Sequence, residues 1–124
     1  MSKDIRAVII DPYTETVENI TYDGTDYKNI YPLLRCSYFT CVSLKDDDDV
    51  LVDDEGLLHI TDSTKFFMLR DYPQPLAGYG LIVGTDGEGE TISAHHDADY
   101  YRSKVQFLDV EMVQIFGYFS DNAR

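Results

Sequence analysis

This sequence has no tryptophan, no long apolar run and few positively charged residues. Its 124 residues contain no Trp, and 10 Lys and Arg stand against 23 Asp and Glu, a net charge of −13 at pH 7. Proteins bind nucleic acids and anionic membrane surfaces through basic patches, so we expect no direct binding to either. No apolar run approaches the roughly 20 residues of a membrane-spanning helix. The start Met1-Ser2-Lys3-Asp4 lacks the apolar segment of a signal peptide, and we expect a cytoplasmic protein.

Cysteine is scarce too, with only Cys36 and Cys41 in the chain. A disulfide between them would close a short loop and add little stability. We therefore expect two reduced, partly buried thiols, as in a cytosolic protein. A chain of 124 residues buries a sufficient core without disulfides or a metal. A single domain over residues 1–124 with no cofactor is the expectation.

The apolar pattern of the chain favours strands over helices. Residues 6–11 and 16–22 flank the turn signal Asp11-Pro12, which predicts a hairpin. Further strands are predicted at residues 37–44, 50–52, 66–69, 79–83 and 104–108. We expect a polar turn at residues 46–49, a structured loop at the proline-containing residues 72–78, and an acidic glycine turn at residues 84–90.

Two segments have the spacing of helices. The apolar residues of the first fall at i, i+3, i+4 and i+7, and are Tyr27, Ile30, Tyr31 and Leu34. Pro32 should shorten or kink this helix. The second would be capped by Asp109 and ended by Gly117, although its β-branched residues leave strand or helix open for residues 105–119. The predicted fold class is α+β, a mostly antiparallel sheet with one or two short helices.

Carboxylates are concentrated in one segment, where seven of the ten residues at 46–55 are Asp or Glu. Side chains on one face of a strand repeat about every 6.6 Å, and the next strand lies about 4.8 Å away. An acidic hairpin therefore approaches the charge density of duplex DNA, about one charge per 1.7 Å of axis. Such a surface attracts the nucleic-acid-binding clefts of other proteins. The simpler interpretation is a solvated turn that keeps the protein soluble.

We take these carboxylates as the candidate partner-binding surface. They are Asp46, Asp47, Asp48, Asp49, Asp53, Asp54 and Glu55, with Asp86, Glu88 and Glu90 as a second patch.

The sequence contains no strong catalytic or metal-binding motif. Neither Gly56 nor Gly89 follows an acidic residue at the spacing of an EF-hand loop, and a P-loop and a nucleophile elbow are absent. His95 and His96 can ligate metals, but adjacent residues on a strand point to opposite faces. We expect a polar loop there, no metal site, and a protein that is not an enzyme.

Several segments together resemble a family of small uncharacterised proteins encoded by bacteriophages and plasmids. They are residues 7–13 (Ala-Val-Ile-Ile-Asp-Pro-Tyr), a short helix ending near Cys36, residues 52–58 (Val-Asp-Asp-Glu-Gly-Leu-Leu) and, most distinctively, residues 72–86 (Tyr-Pro-Gln-Pro-Leu-Ala-Gly-Tyr-Gly-Leu-Ile-Val-Gly-Thr-Asp). The resemblance covers residues 6–108. It transfers no activity and no site, but it implies a mobile element expressed inside a bacterial host cell.

Small acidic proteins of mobile elements are often inhibitors of host enzymes, and some imitate DNA. The leading hypothesis is a non-enzymatic accessory protein that binds and inhibits a host protein through its acidic surface, as a DNA-mimic anti-restriction or anti-CRISPR inhibitor would. The alternative is a protein that binds or sequesters a nucleotide signal. Its site would be Tyr72, Gln74, Tyr79, Arg70 and Arg102, with Lys104 as a further cation. A small homo-oligomer with an assembly role is a third hypothesis.

Overall fold

The structure is a computed structural model that describes residues 3–115. This part of the chain contains nine strands and three short α-helices. The strands are β1 (Asp4–Asp11), β2 (Thr16–Asp23), β3 (Phe39–Ser43), β4 (Asp48–Asp53), β5 (Lys65–Leu69), β6 (Tyr72–Ala77), β7 (Gly80–Thr85), β8 (Thr91–Ile92) and β9 (Val105–Asp109). The α-helices are α1 (Ile30–Leu34), α2 (Ala98–Arg102) and α3 (Val110–Ile115). Short 3₁₀ turns cover Tyr27–Asn29, Lys45–Asp47 and Gly56–Leu58. Within residues 3–115, no helix has the length and apolarity to cross a membrane.

The strands form two antiparallel sheets. The larger sheet has the order β2-β1-β7-β4-β3, with β8 paired to β7, and the smaller sheet has the order β6-β5-β9. Every strand pairing within residues 3–115 is antiparallel. The α+β class predicted from the sequence is therefore confirmed, and so is the first hairpin, which β1 and β2 form.

The larger sheet is the middle layer, because alternating residues make both of its faces apolar. One face packs against the smaller sheet and α2, and its buried residues include Val8, Ile10, Val50, Val52 and Ile82. The other face packs against α1, and its buried residues include Ile5, Ala7, Leu51, Leu81 and Val83. Each fully buried aliphatic side chain contributes about 1.5–3 kcal/mol to folding.

The first predicted helix is short, as Pro32 indicated. A 3₁₀ turn leads into α1, and the Asp26 carboxylate caps that turn by accepting a hydrogen bond from the Lys28 N–H at 2.9 Å. Pro32 lies in the first turn of α1, where a missing N–H costs nothing because those N–H groups have no partner within the helix. Arg35 then ends the helix in the left-handed region, at φ 54°.

Two predicted loops are strands in the structure. Residues 72–78 are not a loop, because Tyr72–Ala77 form β6 at the edge of the smaller sheet. Pro73 and Pro75 are two residues apart, so the nitrogens that lack hydrogen lie on the same side of the strand, and an edge strand tolerates this. Asp48 and Asp49 are not in a turn either, since β4 begins at Asp48.

The segment that the sequence left open between strand and helix contains both. Residues 105–109 form β9 and residues 110–115 form α3. The Asp109 carboxylate caps α3, as predicted, by accepting a hydrogen bond from the Met112 N–H at 2.8 Å. The predicted stop at Gly117 lies outside the described residues.

Candidate functional site

Two acidic turns leave the larger sheet at the same end. β4 and β7 are neighbours with Asp48 opposite Gly84, so the turn before β4 and the turn after β7 start from strands about 4.8 Å apart. We call the exposed carboxylates of these two turns the acidic end. They are Asp46, Asp47, Asp86, Glu88 and Glu90.

Both turns have a defined backbone. The Asp86 carboxylate accepts hydrogen bonds from the backbone N–H groups of Glu88 and Glu90, at 2.8 and 2.9 Å, and these bonds lower the pKa of Asp86. Asp46 and Asp47 adopt φ values of 61° and 63°, a left-handed conformation that Asp tolerates better than most residues. Ordered turns hold their carboxylates in place, which reduces the entropy lost on binding.

Three carboxylates of the acidic end are not neutralised within the protein. Asp47, Glu88 and Glu90 have no side-chain hydrogen bond or ion pair with any residue among 3–115. Asp46 pairs with His96, with 2.9 Å between Oδ2 and Nε2. The acidic end therefore presents net negative charge to solvent.

Asp48 belongs to the candidate surface in the sequence but not in the structure, because its side chain is fully buried. Its carboxylate accepts hydrogen bonds from the backbone N–H groups of His95 and His96, at 2.6 and 3.2 Å, and from the Tyr101 hydroxyl at 2.5 Å. We call these four residues the Asp48 cluster. A buried carboxylate is stable only when donors surround it in this way, so Asp48 is a structural residue.

The loop at residues 93–97 is held from a second side by Arg6. Arg6 donates its backbone N–H to Ser93 Oγ at 2.8 Å, accepts from the Ala94 N–H at 2.9 Å, and donates a guanidinium N–H to the Ala94 carbonyl. Gly84 lies between Asp48 of β4 and Ile92 of β8 in the larger sheet, and a Cβ on it would come within 2.4 Å of the Ser93 carbonyl oxygen. The glycine therefore makes room for the loop that Arg6 and Asp48 hold.

Sequence reasoning missed the parts that Arg6, Gly84 and Tyr101 play in this arrangement. The sequence does contain a signal that Asp48 is buried. A strand places every second residue on the same face, and Val50 and Val52, which share a face with Asp48, are buried. No local signal could identify its donors, which lie 47 to 53 residues away in the chain.

The other predicted acidic residues lie elsewhere. Asp49 is half-buried and accepts a hydrogen bond from Thr85 Oγ1 at 2.5 Å. Asp53, Asp54 and Glu55 lie at the opposite end of β4, where Asp53 accepts a hydrogen bond from the Glu55 N–H at 2.9 Å. The ten predicted carboxylates are therefore not one surface, and the structure brings only two exposed turns together.

His95 and His96 lie in a loop, as predicted, and they point to different partners. His95 Nε2 is 3.3 Å from the Thr85 carbonyl oxygen, whereas His96 pairs with Asp46 and stacks on Tyr100 with ring centroids 3.7 Å apart. No group of three or more metal-capable side chains occurs among the residues that the structure describes.

The residues of the nucleotide-site hypothesis do not converge. Tyr79 lies near Tyr13 and under the guanidinium of Arg35, and Arg102 donates to the Val17 carbonyl and pairs with Asp99. Arg70 lines a cavity of about 320 Å³ together with Lys104, but neither Tyr79 nor Arg102 reaches it. Tyr72 is half-buried at a different cavity, and Gln74 is exposed on β6.

Both cysteines are free thiols, half-buried at Cys36 and exposed at Cys41. Partial loss of solvation and the nearby Asp49 carboxylate raise the pKa of Cys41 to about 11. Burial, and to a smaller extent the negative charge of Asp53, raise the pKa of Cys36. Thiols shifted in this direction stay protonated near neutral pH, which opposes a role as nucleophile.

The fold and the site together define an antiparallel α+β protein with one carboxylate-rich end. The model of the family described as "Domain of unknown function (DUF3846)" matches residues 5–106. The chain therefore belongs to this family. This confirms the part of the prediction that the chain resembles a family of uncharacterised proteins.

The chain is also similar to a curated protein. "Uncharacterized protein y4iR" of Sinorhizobium fredii (strain NBRC 101917 / NGR234) is 33% identical over 82 residues, which are 65% of this chain and 50% of the relative. The chain thus matches half of that protein's length. No solved structure matches the chain.

Proposed function

We propose that this protein is a non-enzymatic accessory protein of a phage or other mobile element, which binds and inhibits a host protein in the bacterial cytoplasm through the acidic end. The partner would present a basic surface, as a nucleic-acid-binding enzyme of a host defence system does. The acidic end would then occupy that surface in place of nucleic acid.

The observation that supports this proposal is the β4–β7 register, which places two acidic turns side by side. Asp47, Glu88 and Glu90 contribute carboxylates without partners among residues 3–115, and Asp86 is held ionised by two backbone N–H groups. Clustered like charge raises association rates with an oppositely charged surface, and the effect falls as salt rises.

The nucleotide-binding alternative has less support from the geometry. Arg70 and Tyr72 line two different cavities, and neither Tyr79 nor Arg102 lines either of the two. A nucleotide needs a base-stacking group and phosphate donors within one site, so the acidic end is the better candidate.

The test compares two variants of the tagged protein that carry the same change in net charge. Glu88→Lys with Glu90→Lys reverses two charges at the acidic end and leaves the Asp86 carboxylate that holds the turn in place. Asp62→Lys with Glu111→Lys reverses two exposed charges near the start of β5 and the end of β9. Proteins captured from bacterial lysate at low salt are quantified by mass spectrometry.

We expect the wild type and the Asp62/Glu111 variant to retain the same nucleic-acid-binding protein, released as salt rises. The Glu88/Glu90 variant should retain at least about tenfold less of that protein. Equal loss in both variants would mean that only net charge matters, and retention by the Glu88/Glu90 variant would refute the proposal.

A further inference from the structure

A groove at the other end of β4 has a composition unlike that of the acidic end. It runs between β3, the edge strand of the larger sheet, and the 3₁₀ turn Gly56–Leu58, and has a volume of about 280 Å³. Val42, Tyr72 and Leu76 form its apolar lining, and Asp53 and Asp54 lie at it. We call this cavity the β3 groove.

Two leucines at the β3 groove are unusually exposed. Leu57 is 52% and Leu58 is 74% accessible to solvent. Neighbouring exposed leucines on a groove that is itself apolar form a contiguous patch, and such patches mark interaction sites more often than single exposed residues do. An apolar centre beside charged groups is also the usual arrangement of a protein interface.

The backbone of β3 is open beside this groove. The Asp54 N–H donates to the Tyr38 carbonyl and the Leu44 N–H donates to the Asp48 carbonyl. The alternation of an antiparallel pair then turns the backbone groups of Phe39, Cys41 and Ser43 away from β4. Within residues 3–115, β3 pairs with no strand other than β4.

Edge strands are normally protected by proline or by charge. β6 has two prolines, but β3 reads Phe-Thr-Cys-Val-Ser and has neither proline nor charge. β3 is therefore suited to accept an additional strand.

We propose that the β3 groove binds an extended peptide segment of a partner protein, in which aliphatic residues are flanked by Lys or Arg. The segment adds to β3 as a strand. Its aliphatic side chains enter the groove between Val42 and Leu57, and its cationic side chain faces Asp54. The carboxylate of Asp54 has no hydrogen bond or ion pair among residues 3–115, so it is free to pair with that cation.

Charge favours a basic partner over a second copy of this chain. Each copy has a net charge of −13 and carries Asp53 and Asp54 at the groove. Pairing two such edges would bring like charges together, which opposes self-association. This proposal does not depend on the acidic end.

The test is a titration of the ¹⁵N-labelled full chain with synthetic peptides, followed by NMR. The first peptide alternates Lys with Val and Leu, and its counterpart has Glu in place of Lys. Cys41→Pro removes an outward N–H while leaving the bonds to β4, and Cys41→Ser is its matched control. Leu58→Ser tests the groove at an exposed position, in case the proline variant does not fold.

We expect the Lys peptide to shift signals of Val42 and Leu57, and to slow amide exchange at Cys41 and Ser43. The Glu peptide should bind at least about tenfold more weakly, as should the Lys peptide to Cys41→Pro or Leu58→Ser. Cys41→Ser should bind like the wild type.

Three results would overturn the proposal. The Lys peptide could fail to bind, or the Glu peptide could bind equally well. Light scattering could also show a dimer that Cys41→Pro abolishes, which would make a second copy the occupant of the groove.

Discussion

β4 begins at Asp48, whose carboxylate is buried among three donors, and ends at Asp53, which lies half-buried beside an apolar groove. The two ends are about 17 Å apart at the rise of an extended strand. At the first end exposed carboxylates cluster in ordered turns, whereas at the second end exposed leucines accompany the acids. A carboxylate run that looks uniform in the sequence therefore contains one structural residue and two different surfaces.

The contrast between Asp47 and Asp48 is sharper still, because they are consecutive. Asp47 has no side-chain partner among residues 3–115, and Asp48 holds the loop that carries His95 and His96. Burial and hydrogen bonding, and not residue type, decide which carboxylate stabilises the fold and which is free to contact a partner.

The substitution that we expect to lower the free energy of unfolding most is at Asp48. Asp48→Asn replaces an acceptor oxygen with an NH₂ group that faces buried donors, and should lower the free energy of unfolding by about 3 kcal/mol. Asp47→Asn, its control, should change it by less than about 0.5 kcal/mol. Urea denaturation measures both, and equal effects would contradict the division between the two residues.

The next effect is expected at Gly84. Gly84→Ala places a Cβ within 2.4 Å of the Ser93 carbonyl oxygen and should cost about 2 kcal/mol of stability through overpacking. A Cβ at Gly87 meets nothing within 4 Å, so Gly87→Ala should change stability by less than about 0.5 kcal/mol. Thermal unfolding of both variants checks this, and a neutral Gly84→Ala would show that the loop is not seated over Gly84.

Tyr101→Phe should lower the free energy of unfolding by about 1.5 kcal/mol near neutral pH, because the Asp48 carboxylate loses one hydrogen-bond donor. Burial, and then the Asp48 hydrogen bond, raise the pKa of Tyr101 above its ordinary value of 10.0. The folded state therefore holds this proton more tightly than the unfolded state, and the stability from Tyr101 is full below pH 10.0 and is lost as pH rises beyond it.

Denaturation at a series of alkaline pH values tests this dependence. The wild type should lose stability as pH rises above 9.0, because of the two cysteines, and more steeply above 10.0, where Tyr101 contributes. Tyr101→Phe should lose less. Part of the slope should remain in the variant, because burial also raises the pKa of Tyr22, of Tyr79 and of both cysteines. Identical slopes would contradict the role of Tyr101.

The smallest effect is expected at Asp46. Its ion pair with His96 spans 2.9 Å, but the Asp46 side chain is 61% exposed. Exposed pairs contribute little, so Asp46→Asn should change the free energy of unfolding by less than about 0.5 kcal/mol. A larger loss in urea denaturation would place Asp46 with Asp48 instead of with Asp47.

Much of the fold was predictable from local pattern. Alternation indicated the β1–β2 hairpin, and Pro32 indicated a short first helix, because both signals act within a few residues. β6 was missed because two prolines look like a loop, and only the edge position of the strand explains how they are accommodated.

The site was predictable only in part. Composition located the carboxylates, but the burial of Asp48 depends on Tyr101 and on the backbone of His95 and His96, which are distant in the chain. The position of the two acidic turns at one end of the larger sheet likewise follows from the β4–β7 register, which single-sequence patterns do not specify.

The most direct test of the division within the carboxylate run is amide hydrogen exchange at His95 and His96, measured by NMR in the wild type, Asp47→Asn and Asp48→Asn. We expect both amides to exchange slowly in the wild type and in Asp47→Asn, because they donate to a buried carboxylate. In Asp48→Asn both should exchange much faster. Fast exchange in the wild type, or unchanged exchange in Asp48→Asn, would contradict the structural role assigned to Asp48.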